Sequence, residues 1–228
     1  MFCRVILTVT AVLLSTAAAQ AGPVFGNGDL SNTGDSGGFQ LGNHSYYAIP
    51  FKTGSSSPYL TLSGAYVLIE NRETENSVDT RLAIWSDSGS GPAARLFQSP
   101  ISNIPANTSN GWSLLTFASP VTLSASTNYY AVFGRTTANS QLLYWLYPST
   151  STNYSDLGSG SGYTTTSSDP VYGFTENTSS WGTVGSSTLT TDPFGIQLVP
   201  EPSSAMLLTT FSGIVACVGL ARRRRVRA

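Results

Sequence analysis

Cysteine is nearly missing from this sequence. It holds two, Cys3 before the first arginine and Cys217 in an apolar stretch near the other end. The stretch between, Gly22–Val199, has none, so it folds without disulfides and offers no thiol nucleophile or thiolate metal site. Histidine is as scarce. His44 is the only one, and one imidazole cannot form the multi-histidine zinc sites of most metallohydrolases. It sits in a turn-like Gly42-Asn43-His44-Ser45 setting, and no Gly-x-Ser-x-Gly elbow stands in the strand-to-helix context a serine hydrolase needs. Lysine occurs once, at Lys52, and methionine only at Met1 and Met206. Helix signals are therefore almost absent. Positive charge is also thin. Between Gly22 and Val199 five basic residues (Lys52, Arg72, Arg81, Arg95, Arg135) stand against eleven acidic ones, which excludes the basic face that nucleic acid requires.

The ends carry the opposite character. Arg4 precedes an apolar run, Val5–Leu14, too short to span a bilayer and right for the core of an export signal. Ala17-Ala18-Ala19 and Ala19-Gln20-Ala21 both fit the small-x-small cleavage rule, so residues 1–21 are expected to be a signal peptide cut after Ala19 or Ala21. Export through the Sec machinery is implied. No cysteine follows either site, which argues against a lipoprotein.

At the other end Pro200-Glu201-Pro202 precedes an apolar stretch, 203–221, and then Arg222, Arg223, Arg224, Arg225 and Arg227. As a helix at ~1.5 Å per residue the stretch reaches about 28 Å, enough for the hydrocarbon core. Each arginine costs roughly 2.5–3.5 kcal/mol at the bilayer centre, so the cluster is expected to stop transfer and stay cytoplasmic over 222–228. The prolines keep the segment before the span extended and accessible. Pro200-Glu201-Pro202, the apolar stretch and the terminal arginines, in that order, resemble the PEP-CTERM sorting signal of Gram-negative bacteria. The resemblance implies recognition by an exosortase at the inner membrane, cleavage near Pro200–Pro202, and delivery to the cell surface or an exopolysaccharide matrix.

Between the ends the patterning is that of strands. Candidates are Tyr46–Phe51, Leu60–Glu70, Thr80–Ser86, Ser113–Phe117, Tyr129–Arg135, Leu142–Tyr147, Val171–Thr175 and Phe194–Leu198. Leu60, Leu62, Tyr66 and Leu68 are expected on one face, with Thr61 and Ser63 on the other. Phe194, Ile196 and Leu198 alternate with Gly195 and Gln197, the period of a half-buried strand. The expected fold is all-β, an antiparallel, jelly-roll-like β-sandwich over 46–199, flanked by the signal peptide and a C-terminal transmembrane helix. Residues 22–45 are rich in Gly, Asn, Asp and Ser and are expected to form an irregular lead-in. Ser149–Asp169 is read as a long loop, mobile or functional.

Leu82-Ala83-Ile84-Trp85-Ser86-Asp87, the turn Ser88–Pro92, Trp112–Phe117 and Val121–Phe133 occur in an order that resembles the choice-of-anchor surface modules, especially the R type. The similarity covers roughly Tyr47–Arg135. It implies display at the cell surface and says nothing of chemistry.

Aromatic residues offer the first candidate site. Trp145 and Tyr147 share one face of their strand, and exposed rings there could stack on sugar C–H groups; packing between two sheets is the preferred reading. Trp85 and Trp112 are assigned to the core, and Trp181, in a Ser/Thr/Gly setting, is the better candidate for exposure. Asp29 and Asp35, on a Gly-rich segment, are a weak calcium candidate that lacks the EF-hand order and its closing Glu. Glu70, Glu73, Glu75 and Asp79 surround a hairpin turn and read as a solvated loop rather than a glycosidase pair. The Asn-x-Ser/Thr triplets at Asn43, Asn107, Asn153 and Asn177 carry little weight in a bacterial protein. No cofactor is expected. The expected function is a noncatalytic surface or matrix module of the envelope, of biofilm or of adhesion. A carbohydrate-binding, lectin-like module is the alternative, and a glycan hydrolase the remote one.

Overall fold

The computed structural model describes residues 23–28, 30, 31, 33–42, 45–55, 59–136, 142–148, 155–156, 162–165, 170–175, 181–188 and 194–201. Fourteen strands lie among them: β1 (Phe25–Gly26), β2 (Asp35–Leu41), β3 (Ser45–Lys52), β4 (Thr61–Asn71), β5 (Val78–Asp87), β6 (Pro92–Gln98), β7 (Ser102–Ile104), β8 (Thr108–Thr122), β9 (Asn128–Arg135), β10 (Leu143–Pro148), β11 (Ser155–Asp156), β12 (Pro170–Thr175), β13 (Gly182–Thr188) and β14 (Ile196–Pro200). All eight expected strands form. The described chain is all-β, and every strand pairing in it is antiparallel.

The strands make two sheets of seven. In the first the order is β11-β1-β14-β4-β10-β2, with β8 along the other edge of β4. Because β14 takes Leu62–Val67 of β4 and β10 takes Ile69–Asn71, these two lie end to end on one edge. In the second sheet the order is β13-β12-β3-β9-β5-β6, and β7 joins the far end of β5. The eight strands expected from the sequence alternate between sheets along the chain: β3, β5, β9 and β12 belong to the second, β4, β8, β10 and β14 to the first, while β6 and β13 stay in the sheet of the strand before them.

One apolar cluster joins the sheets in a sandwich-like arrangement. Leu62, Ala65, Val67, Leu115, Ile196 and Leu198 enter from the first sheet; Ile49, Phe51, Leu82, Ile84, Ala131 and Phe133 enter from the second. Strand β9 shows why its sequence reads as a nearly unbroken apolar run. Tyr129, Ala131 and Phe133 point into this core, while Tyr130 and Val132 are buried on the opposite face. Trp145 is fully buried between Phe133 and Phe194, at ring separations of 5.1 and 4.5 Å, and its Nε1 donates to the Gly195 carbonyl at 2.9 Å. Tyr163 stacks on Phe51 and donates its hydroxyl to the Tyr59 carbonyl at 2.7 Å. Burial raises the pKa of the Tyr47 and Tyr163 phenols, in Tyr163 with a smaller contribution from Tyr129. It lowers that of the Arg135 guanidinium, against the opposing pull of Glu73.

Three expectations are corrected. The lead-in is not irregular, because β1 and β2 lie within 22–45. Leu41 of β2 is buried opposite Leu143, and Phe39, opposite Trp145, packs on the core. The Asn27 side chain accepts the Ile196 N–H, and the Gln197 amide donates to the carbonyls of Asn27 and Gly28. These bonds satisfy buried polar groups on both segments. The faces of β4 also differ. A bulge between Leu62 and Gly64 shifts the register, so Ala65, Val67 and Ile69 share the core with Leu62, while Tyr66 and Leu68 turn outward. An added side chain at Gly64 would collide with the Leu115 carbonyl, so the bulge requires glycine. Finally, Trp85 and Trp112 are half-buried on outer faces rather than in the core: Trp85 packs on an outer cluster, and Trp112 pairs with outward-facing Leu68.

Every strand belongs to one compact unit, Gly22–Pro200. No helix among the described residues is long and apolar enough to cross a membrane, and the expected span at 203–221 lies outside them.

Candidate functional site

The outer face of the second sheet gathers half-buried aromatic rings, among them Tyr46, Trp85 and Tyr172. Period-two alternation places Arg81, Ala83 and Trp85 of β5 opposite Leu82 and Ile84, which enter the core. By register, Ala48 of β3, Val132 of β9 and Ala83 lie side by side across three strands. The next row holds Tyr46, Gly134 and Arg81. The row on the other side holds Pro50, Tyr130 and Trp85, with Arg95 of β6 beside Trp85. Small residues thus form the floor and large rings stand around it. Gly134 belongs to that design, since a side chain there would strike the Tyr46 ring and the Ser45 carbonyl.

Trp181 completes the wall. It precedes β13, which three strands separate from β5, yet its ring meets Trp85 edge-on at 5.2 Å and 82°. The result is a cleft of about 320 Å³ lined by Tyr46, Arg81, Ala83, Trp85, Arg95, Gln98, Val132 and Trp181. Its floor is apolar, and its lining side chains include two guanidiniums, an amide and the Tyr46 phenol. Arg81 Nη1 donates to Gln98 Oε1 at 3.3 Å, which ties the side chains of β5 and β6 together.

A second cleft, of about 410 Å³, opens toward the other end of the same sheet and includes Lys52, Asp87, Asn128, Tyr130 and Tyr172. Its carboxylate is engaged: Asp87 accepts the Gly89 N–H at 2.8 Å and an Asn128 amide hydrogen at 3.2 Å. Tyr130 and Tyr172 meet edge-on at 5.5 Å. Both clefts border the outer cluster built on Ala48, Ala83, Tyr130 and Val132.

The expected site residues separate sharply. Trp145 has no exposed surface, so it presents no ring to a ligand. Tyr147 faces the core beside Phe39 and Phe194. Trp181 alone of the three lies in a cleft. Pro200 is the buried last residue of β14, and Glu201 is exposed. Asp29, Ala19, Ala21, Pro202, Arg222, Arg223, Arg224, Arg225 and Arg227 lie outside the described residues, as do His44, Asn43, Asn153 and Asn177. Asp35 is the first residue of β2, and its side chain is not described.

The acidic turn is a structural loop. Glu70 pairs with Arg72 at 2.7 Å, and Arg72 lies 4.5 Å over the Tyr144 ring. Glu73 accepts the Leu142 N–H, and Asp79 accepts an Asn103 amide hydrogen. Asn71, buried at its base, donates to the carbonyls of Asn76, Ile104 and Pro105 and accepts the Glu73 N–H.

Sequence reasoning passed over Tyr46, Arg81, Arg95 and Tyr172. The alternation Arg81-Leu82-Ala83-Ile84-Trp85 was the available signal, because it sets Trp85 on the face away from Leu82 and Ile84. No protein-family model, curated protein or solved structure matches the chain.

Proposed function

We propose that this chain is a noncatalytic, exported β-domain of the cell surface or extracellular matrix that binds saccharide on the outer face of its second sheet. The observation that carries the reading is the cleft between Trp85 and Trp181. Its apolar floor and half-exposed rings suit the C–H faces of a pyranose, and its amide and guanidiniums suit hydroxyl groups. Repeated crossing of the chain between the two sheets, from β3 to β4, β4 to β5, β8 to β9 and β9 to β10, supports a jelly-roll-like sandwich.

Export is supported by the residues of both ends. Arg4 and the run Val5–Leu14 are read as a cleaved signal, and Pro200-Glu201-Pro202 with the following apolar stretch and arginines as an exosortase-dependent sorting tail. The last strand among the described residues ends at Pro200, and exposed Glu201 follows directly.

Two measurements test the reading. Fractionation of a tagged strain with and without its exosortase is expected to show a processed surface form that disappears without the enzyme. Full-length chain in the cytosol with both ends intact would refute export. Binding of the detergent-solubilised chain to a glycan panel, lost in Trp181→Ala and kept in Trp112→Ala, is expected if the second sheet carries the site.

A further inference from the structure

We infer that the cleft between Trp85 and Trp181 selects acidic saccharides, with ring carboxylates of a uronate polymer held by Arg81 and Arg95. The inference rests on the saccharide-binding reading and names its ligand class.

Charge distribution is the first argument. Of the five basic residues between Gly22 and Val199, two line this one cleft, although acidic residues outnumber basic ones by eleven to five. Among the described residues no carboxylate lines it. The other cations are placed differently. Arg72 is paired with Glu70, Arg135 is buried and donates to the Leu41 carbonyl, and Lys52 shares its cleft with Asp87. Arg81 and Arg95 have no carboxylate within 4.0 Å among the described residues. A predominantly acidic surface that gathers two uncompensated guanidiniums at an aromatic cleft is arranged for an anion there.

Geometry is the second argument. Arg95 stands directly across from Trp85, and Arg81 lies four residues before Trp85 on the same face of β5. At ~3.3 Å per residue, Arg81 and Trp85 are about 13 Å apart along the strand. Arg95 shares Trp85's row, so the two cations enter the cleft from rows on either side of Ala83 and Gln98, an arrangement that suits a polymer carrying repeated acid groups better than one small anion. A guanidinium fork matches a carboxylate in plane, and the Gln98 bond to Arg81 steadies one such fork. Trp181 and Trp85 supply the apolar face on which a sugar ring of the polymer would rest.

The test is titration of the full-length chain in detergent with polygalacturonate, sulfated dextran and unmodified dextran. Polygalacturonate is expected to bind most tightly. Arg95→Gln and Arg81→Gln each remove a charge-assisted bond and are each expected to weaken it about tenfold or more. Raising salt from about 0.05 to 0.5 M is expected to weaken the wild type and leave the double variant nearly unchanged. Arg95 is exposed, so Arg95→Gln is expected to melt with the wild type, which separates lost contact from lost fold. Tighter binding to sulfated dextran would overturn the carboxylate assignment. Equal binding to unmodified dextran, unaffected by either arginine variant but lost in Trp181→Ala, would overturn the acidic selectivity and leave the saccharide reading standing. Silence on all three polymers would overturn both.

Discussion

The core between the sheets and the outer face of the second sheet use the same aromatic residues to different ends. In the core, Trp145 is enclosed by Phe133 and Phe194 and its indole N–H is satisfied by the Gly195 carbonyl. On the outer face, Trp181 meets Trp85 along one edge and otherwise borders a cleft. The difference lies in what stands opposite. The first sheet covers the inward rings of Phe51, Tyr129 and Phe133, whereas the outward rings have Ala48, Ala83, Val132 and Gly134 beneath them. A ring facing another sheet becomes packing, and a ring beside a floor of small residues becomes a wall.

The contrast is sharpest for two substitutions. Trp145→Ala is expected to cost about 3–5 kcal/mol, from lost packing and a cavity the sandwich cannot close, and a urea melt measures it. Gly134→Ala comes next. The new methyl group strikes the Tyr46 ring and a backbone oxygen, so about 1–3 kcal/mol of destabilisation is expected, with loss of the cleft's shape read as weaker saccharide binding.

Alkaline pH probes the inner side. Tyr47 and Tyr163 hold their protons more tightly in the fold than in the unfolded chain, where tyrosine loses its proton near 10. Their stabilisation is therefore complete below about pH 10 and falls as pH rises beyond it, because the unfolded chain releases protons that the fold retains. Denaturation midpoints followed from pH 8 to 11 are expected to drop above about 10, and less steeply in Tyr163→Phe. The smallest stability effect belongs to Trp181→Ala, expected within about 1 kcal/mol of wild type while saccharide binding disappears. A large loss of stability there would erase the distinction between wall and packing.

How far the fold was legible follows from the same distinction. The eight strands that read from sequence carry alternation or apolar runs set by a buried face, as in Thr80–Ser86 and Tyr129–Arg135. Those that did not are short or lie at edges, where pairing rather than side-chain pattern makes the strand. In β2, Gly37 and Gly38 interrupt any periodic signal, and β6 exposes most of its residues. The faces of β4 misread because a bulge shifts parity, and nothing before Gly64 announces it. At the site, Trp181 was legible as a ring in a polar setting. Its partner Trp85 was not, since only the strand order brings two such distant residues together. The arginines were visible as rare cations, but their common cleft depends on β5 pairing with β6.

The placement of β14 has a mechanical consequence. This strand is bonded along one edge to β1 and along the other to β4, and it carries the chain directly out at Pro200. A pull applied through the residues that follow loads β14 along its own axis. Its ladders on both sides are then strained together instead of parting one rung at a time. A domain held by that end would resist drag from flowing liquid as a unit, and its first point of failure would be the seam where the earliest and latest strands meet.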